Sequence, residues 1–279
     1  MNNQKVAVVT GSSSGIGLET ALHLAKNGFK TYATMRNLGK SDVIKSRSEN
    51  LPIEILQLDV TDDESVKKAI NTIIEKEGRI DVLVNNAGYG IIGAVEDLSS
   101  EEVKNQFDTN VFGVFRTIRE VLPTMRKQES GRIITISSIA GFMGMPVFGA
   151  YASSKFAVEG LTESLRHEVS QFGIHACVVE PGAIKTGIME TMPVAKKSME
   201  NSAYTDLSQA LGKAMTEMVK NHSSPPSVVA EAVFEAATSE NPETRYTAGE
   251  DAKMIKQART TKSDKEFEEF ILTSFMSAK

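Results

Sequence analysis

The sequence predicts an α/β protein: a doubly wound parallel sheet with helices on both faces. Three observations carry that prediction. Short β-branched runs alternate with longer segments of helical period along most of the 279 residues. A turn rich in glycine and serine joins the first predicted strand to the first predicted helix. The polar residues with chemistry to offer gather where predicted strands end, which is where open α/β sheets bind ligands.

"KVAVVTG" (5–11) reads as a buried strand because it is apolar, β-branched and closed by a glycine. "GLETALHLAKNG" (17–28) places Leu18, Ala21, Leu22 and Ala25 at helical spacing and ends at Gly28. "KTYATMR" (30–36) and "IEILQLDV" (53–60) are the second and third strands. Thr61 followed by Glu64 reads as a capping box, with Val66, Ile70, Ile73 and Ile74 along one face of the helix it opens. "IDVLVNNAG" (80–88) is the fourth strand. Ser99 and Glu102 form a second capping box, opening one long helix through Val103, Phe107, Val111, Val114, Ile118 and Met125. "GRIITISS" (131–138) and "IHACVVEPG" (174–182) are strands, with a helix carrying Tyr151 and Lys155 between them. "ETRYTAGED" (243–251) holds a last short strand.

The chain, 1–279, reads as a single domain. Its one compositional shift is at 187–227, rich in Met and Ala and ending in a Ser/Pro stretch. That segment predicts one or two mobile helices inserted on the substrate side. The tail, 262–279, reads as an amphipathic helix with Phe267, Phe270, Ile271 and Phe275 on one side. Its polar face carries several acids, so it packs on the body or on a neighbouring subunit rather than on a membrane.

Hydrophobic residues make up 41% of the chain, enough for a large core and too many for a disordered segment. The net charge of −5 disfavours nucleic acid or an anionic membrane as partner. No run approaches the roughly 18 apolar residues of a membrane span. The opening stretch lacks the regions of a signal peptide. A cytoplasmic protein is the expectation. Cys177 is the lone cysteine, so no internal disulfide forms, and its apolar surroundings mark it as a buried small hydrophobe. His23, His167, His175 and His222 show no metal-ligand spacing, and no metal is expected.

"VVTGSSSGIGLE" ends the first strand and opens the first helix, the context of a dinucleotide-binding turn. Glycines at 11, 15 and 17 let the backbone approach a pyrophosphate, and the helix N-terminus favours its charge. The spacing is one residue longer than G-x-G-x-x-G. About 20 residues on, where an acid would take the ribose 2′-hydroxyl, the chain reads "ATMRNLGK". No acid is there and Arg36 is, which suits a 2′-phosphate and points to NADP(H) over NAD(H). Lys40 is a second cation for that role. Asp59, at the end of the third strand, is placed to accept from an adenine amino group; a helix-start acid is the alternative.

In "GAYASSKFAVEGL" (149–161), Tyr151 and Lys155 fall on one helix face. Such a pair is common on amphipathic helices. It also has a chemical use, since an ammonium beside a phenol lowers the phenol pKa toward the range of a proton donor. Ser138 stands at the preceding strand end, "NNAG" (85–88) closes the strand before that, Asn110 sits within an apolar helix, and "PGAIKT" (181–186) follows the next strand.

With TGxxxGIG, NNAG, Ser138 before YxxxK, and PGxxxT in this order, the sequence resembles the short-chain dehydrogenase/reductase family in its compact, single-domain branch. The resemblance runs over about residues 4–190 and again at "RYTAGEDA" (245–252). The loop spacing separates it from the extended branch, whose pattern is TGxxGxxG. The resemblance implies a Rossmann-like sheet and hydride transfer with a nicotinamide cofactor. It places Asn110, Ser138, Tyr151 and Lys155 as the catalytic tetrad. Tyr151 would give a proton to a carbonyl oxygen that Ser138 also bonds. Lys155 would lower the Tyr151 pKa and hold the nicotinamide ribose, and Asn110 would hold a water leading to solvent. The implied cofactor contacts are Gly11, Ser13, Ser14, Gly15, Ile16 and Gly17 of the loop, Arg36, Asp59 and Val60, Asn86, Ala87 and Gly88, Tyr151 and Lys155, and Pro181, Gly182 and Thr186. Thr186 matches the residue that holds the carboxamide.

On the substrate side the sequence offers Met143, Met145, Val147 and Phe148, and Met189, Met192 and Met199 in the variable segment. Methionines suit irregular apolar ligands and also fill cores. "TYATMRNLGK" is similar to that stretch in NADP-using hydroxysteroid and retinol dehydrogenases. A bulky apolar ketone, aldehyde or alcohol is the expected substrate. Lys196 and Lys197 would serve an anionic tether if the protein were instead a 3-oxoacyl-thioester reductase; a solvated pair is the plainer reading. A regulator that senses NADP(H) without turnover is the rival from another class, and the intact tetrad speaks against it. The resemblance also implies a homodimer or homotetramer.

Overall fold

The computed structural model of the chain describes residues 4–187, 191–200 and 202–276, of which residues 275 and 276 are described by their backbone alone. Seven parallel strands form one sheet: β1 Val6–Val9, β2 Lys30–Met35, β3 Ile53–Gln57, β4 Val82–Asn85, β5 Gly131–Ile136, β6 Ile174–Pro181 and β7 Arg245–Ala248. Their order across the sheet is β3-β2-β1-β4-β5-β6-β7. Each begins or ends within a few residues of its predicted run, because β-branched apolar residues fix its middle and glycine or polar residues its ends.

The side-chain alternation of each strand divides the core in two. Ala7, Val9, Val82, Val84, Ile134, Ile136, Cys177 and Val179 face one way. They pack against α1 Gly15–Lys26 and a helix at Pro226–Thr238. Val6, Val8, Leu83, Ile133 and Ala176 face the other way, against α3 Asp63–Glu77, α5 Gly113–Gln128 and α6 Gly149–Val169. With both faces covered, the strands read as continuous apolar runs. The short helix α2 Asp42–Arg47 seals the first layer through Ile44. Cys177 is buried, and burial pushes its thiol up to about 12, so it is an inert core residue.

Two predicted features differ. The cap of α3 is Asp62, whose carboxylate accepts from Glu64 N and Ser65 N at 2.9 and 3.1 Å. Thr61 is not the cap because its own N–H and hydroxyl both donate to Asp59 Oδ1. The long helix after Ser99 is interrupted. The Ser99–Glu102 capping box opens α4 Ser100–Phe107, but the chain then passes through a π turn at Asp108–Phe112 before α5 begins. A π turn inserts an extra residue into the helix and re-aims its side chains, here around Asn110.

Among its described residues the segment 187–227 carries the helices α7 Lys196–Glu200 and α8 Thr205–His222. Helix α9 Pro226–Thr238 follows and lies in the first core layer. Helices α10 Glu250–Thr261 and α11 Asp264–Met276 end the described chain. The apolar side of the tail packs on the body: Phe267 and Ile271 are buried with Leu211 of α8, Ile255 of α10, and Met143 and Phe148. The Phe275 side chain, predicted on that same side, lies outside the described residues. Among the described residues, no helix is long and apolar enough to cross a membrane and no cluster of side chains could hold a metal ion.

Candidate active site

A cavity of about 1090 Å³ opens at the C-terminal ends of the strands. The residues proposed from the sequence for cofactor contact or catalysis line it except Asn110, which packs just behind the wall, and Lys40.

One end is built from the β1–α1 turn. Gly11 and Gly15 adopt φ of 69° and 57°, left-handed values that glycine reaches without strain. Gly17 is needed for a different reason. A Cβ there would lie 2.5 Å from Gly11 O and closer still to Asn86 Nδ2. Asn86 in turn donates to Thr10 O and Gly11 O at 2.8 and 3.1 Å, so it braces the turn from beneath. The N-cap of α1, Ser14, makes no side-chain capping bond. The first N–H groups of α1 therefore meet the cavity without a side-chain acceptor, and an anion satisfies them. Gly17→Ala is expected to destabilise the protein by about 1–3 kcal/mol, because the clash is with backbone that no rotamer change relieves. It should also weaken cofactor binding; thermal unfolding with and without NADPH measures both.

Arg36 follows β2 at the cavity rim, exposed, and no ion pair engages it among the described residues. Lys40 lies outside the cavity wall, so the second cation considered for a 2′-phosphate does not reach it. Asp59 and Val60 line the wall beside Arg36. The Asp59 carboxylate is occupied by the Thr61 N–H and hydroxyl at 3.0 and 2.8 Å, which fixes its direction. Ala87 and Gly88 follow Asn86 along the cavity. Pro181, Gly182 and Thr186 close it from the end of β6, with Gly182 N donating to Ala248 O.

At the other end Ser138, Tyr151 and Lys155 converge. Ser138 follows β5, and its hydroxyl accepts from Ala140 N at 3.1 Å. Tyr151 stands in the first turns of α6, packed edge-on against Phe148 with centroids 6.5 Å apart. Burial pushes the Tyr151 phenol up, and a hydrogen bond from Ser138 draws it partly back. Lys155 is 8% exposed, and burial brings it down to about 8. Its ammonium donates to Ile136 O at 2.7 Å and lies 5.7 Å from the Tyr151 ring centroid. The expected lowering of the phenol by Lys155 is therefore not in place here: the amine is committed to a main-chain carbonyl, and burial sets the direction of the phenol's shift.

Asn110 is 3% exposed and held by the π turn. Its amide donates to Tyr89 O and Ser154 Oγ and accepts from Tyr89 N, at 2.9, 3.0 and 3.1 Å. Both amide hydrogens are used, which leaves one Oδ1 lone pair and the main-chain carbonyl for a water. The side chain ties the loop after β4 to α6, and so sets the distance between the cofactor turn and Tyr151.

Met143, Met145 and Phe148 line the wall beyond Tyr151, and Met192 joins them from the variable segment. Val147 is buried beneath, at a φ of 58° that strains a β-branched residue. Met199 is exposed and away from the cavity, and Met189 lies outside the described residues. Sequence pattern alone does not mark Met215, Met218 and Val219 of α8, which complete the wall. Their spacing of three and four is the trace they leave, indistinguishable in sequence from an ordinary packed face. Lys196 and Lys197 do not reach the cavity. The Lys196 N–H donates to Glu102, and the Lys197 ammonium sits 3.6 and 3.7 Å from Glu96 and Asp97.

A family model for short chain dehydrogenases matches residues 5–197. A 3-ketodihydrosphingosine reductase of Bacteroides thetaiotaomicron is 44% identical over 203 residues, 72% of either chain. The uncharacterized oxidoreductase YusZ of Bacillus subtilis is 39% identical over 261 residues, 90% of this chain and 91% of its own. Human retinol dehydrogenase 8 is 42% identical over 208 residues, 72% of this chain and 66% of its own. Among solved structures, a short-chain dehydrogenase from Streptomyces avermitilis superposes with a TM-score of 0.82 at 32% identity, over 98% of each chain. ElxO with NADP bound gives 0.74 at 31%, over 88% of this chain and 97% of its own. A relative from Burkholderia phymatum in complex with NAD gives 0.77 at 27%, over 92% of each.

Proposed function

The chain belongs to the short-chain dehydrogenase family, and from that premise we propose that it is an NADP(H)-dependent oxidoreductase acting on the carbonyl or alcohol carbon of an apolar substrate. The observation that carries the reading is the convergence of Ser138, Tyr151 and Lys155 on a cavity whose far end is an uncapped helix N-terminus with Arg36 at its rim.

The residues present fit the cofactor. The glycine turn leaves room that a Cβ would fill, the α1 N–H groups would hold the pyrophosphate, and Arg36 would hold a 2′-phosphate. Asn86, Ala87 and Gly88 would line one side of it, and Pro181, Gly182 and Thr186 the other. When bound, the nicotinamide supplies or accepts the hydride. In the reductive direction Tyr151 gives its phenolic proton to the substrate oxygen. Ser138 donates to the same oxygen and stabilises the alkoxide as it develops. The raised Tyr151 pKa keeps that proton in place until substrate arrives.

An apolar substrate is favoured by the wall of Met143, Met145, Met192, Met215 and Met218 around Tyr151. Among the described lining residues the cations are Arg36 and Lys155 alone, so no basic rim favours an anionic thioester tether. The relatives named for 3-ketodihydrosphingosine and retinol support the same choice. The whole chain, 1–279, is read as one catalytic domain with 187–227 as its substrate-side insertion and 262–279 as its tail. The half-exposed Phe112, Phe115 and Phe156 support self-association as a dimer or tetramer. The buried lone Cys177 fits a cytoplasmic setting.

The test is cofactor oxidation against a panel of long-chain ketones, retinoid aldehydes and ketosteroids, with NADPH and NADH in parallel. Arg36→Leu is expected to lower kcat/KM for NADPH about 10–100-fold, the worth of a charge-assisted hydrogen bond, and to leave NADH unchanged. Faster turnover with NADH by the unaltered protein would overturn the assignment to NADP(H).

A further inference from the structure

The loop that follows β6 walls the cavity on the side away from Arg36. Arg36 follows β2, the glycine turn follows β1, Ser138 stands after β5, and this loop comes after β6, one strand further along the sheet. A cofactor with its 2′-phosphate at Arg36 and its pyrophosphate at the glycine turn would therefore extend its nicotinamide toward Ser138 and this loop. Pro181, Gly182, Ala183, Ile184 and Thr186 line the cavity there. A Cβ on Gly15 would lie 3.2 Å from Thr186 Cβ, so the loop reaches back to the glycine turn.

The anchors of this loop come from elements distant in sequence. Gly182 N donates to Ala248 O, at the end of β7, at 3.0 Å. Ser224, just beyond α8, donates its N–H to Ala183 O and accepts from Lys185 N, both at 2.9 Å. Those are main-chain bonds, which most residue types supply. The side-chain anchor is Asp251, in the first turn of α10, whose Oδ2 accepts from Ala183 N at 2.6 Å. Asp251 is 7% exposed, and its Oδ1 is buried without a hydrogen-bond partner. The carboxylate presses on two glycines. A Cβ on Gly182 would meet both of its oxygens and lie 2.5 Å from its Cγ, and a Cβ on Gly249 would lie 2.7 Å from Oδ1. A buried carboxylate oxygen without a partner costs free energy. An acid in a first helical turn favours the helix dipole, but that explains neither the bond to Ala183 nor the glycine opposite it.

We propose that Asp251 is a positioning residue for the nicotinamide end of the cofactor. It clamps the loop after β6 at Ala183 and so fixes how far that wall stands from Ser138 and Tyr151. This rests on the NADP(H) reading given above. Asp251 does not itself line the cavity, so it acts through the loop. The adenosine end, at Arg36 and Asp59, lies on the other side of β1 and is independent of the clamp.

The test compares two probes, NADPH and 2′,5′-ADP, by equilibrium binding to the full chain. The second carries the adenosine and 2′-phosphate of the first but no nicotinamide. Asp251→Ala is expected to weaken NADPH about 10-fold or more, the worth of a hydrogen bond to a charged group, and to leave 2′,5′-ADP within about 2-fold. Asp251→Asn keeps an acceptor for Ala183 N and should restore part of the loss. Gly182→Ala pushes a methyl group into the carboxylate and should give the same split with Asp251 in place, so the test stands even if Asp251→Ala does not fold. With both substitutions together the loss should be smaller than the product of the single losses, because the new methyl group then meets no carboxylate. Equal weakening of both probes would mean a general structural role and would overturn the proposal, as would unchanged NADPH affinity. Losses that multiply in full would overturn the clamp between Asp251 and Gly182. The expected split in a chain that oxidises NADPH with no carbonyl compound would support the clamp and count against the proposed function instead. Binding of neither NADPH nor NADH by the unaltered chain would overturn both.

Discussion

Replacing Tyr151 with phenylalanine is expected to reduce kcat about 10²–10⁴-fold, the range lost when a positioned general acid is removed. The ring stays, so its edge-on packing against Phe148 persists. Stability should change by less than about 1 kcal/mol, since the phenol oxygen loses one hydrogen bond, the one donated by Ser138. NADPH affinity should hold within a few-fold, because the α1 turn and Arg36 are untouched. Stopped-flow turnover and fluorescence binding of NADPH read these separately. Equal loss of binding and turnover would mean that the hydroxyl serves the cofactor and not the substrate oxygen.

Lys155→Met is expected to change activity and stability in opposite directions. Turnover should fall at least as far as in the tyrosine variant, since the ammonium that restores the Tyr151 proton is gone. Stability of the cofactor-free protein should rise at neutral pH. Burial lowers Lys155 from its ordinary 10.5 to about 8, so the folded protein carries a buried charge at an unfavourable site. Between those two values the unfolded chain binds the proton that the folded chain releases, so stability rises with pH across that window. Below about pH 8 the full penalty is present. Methionine removes it, and a gain of about 1–3 kcal/mol at pH 7 is expected after the lost bond to Ile136 O is set against it. The difference in melting temperature should shrink as pH climbs past 8. A variant less stable than the unaltered protein at pH 7 would show that the Ile136 and Glu159 interactions outweigh burial.

The sheet was legible because the physics that forms it is local. β-Branched apolar runs bounded by glycine or polar residues placed all seven strands, and the alternation within "VAVV" shows in the split of Val6 and Val8 from Ala7 and Val9 across the two core layers. The glycine turn between β1 and α1 was legible for a like reason, since left-handed backbone and close approach demand glycine at fixed places. What depended on tertiary contact was less so. The α3 cap moved from Thr61 to Asp62 because Asp59 captured the threonine. The π turn at Asp108–Phe112 leaves no periodic signature that a helix lacks. Lys155 shares a face with Tyr151 as its spacing requires, but its ammonium turns to Ile136 O, a partner on another element. Met215 and Met218 reach the cavity only because α8 folds back across it, which spacing within α8 cannot reveal.

The most direct measurement follows the hydrogen. NADPH carrying deuterium in place of its transferable hydrogen is mixed with the protein and the best apolar ketone of the panel, and the alcohol is recovered for mass and NMR analysis. The account predicts one deuterium, on the new carbinol carbon, and about 10²–10⁴-fold less labelled alcohol formed per unit time in a parallel reaction with Tyr151→Phe. NADPH that binds yet gives no labelled alcohol with any ketone or aldehyde of the panel would contradict hydride transfer to an apolar carbonyl.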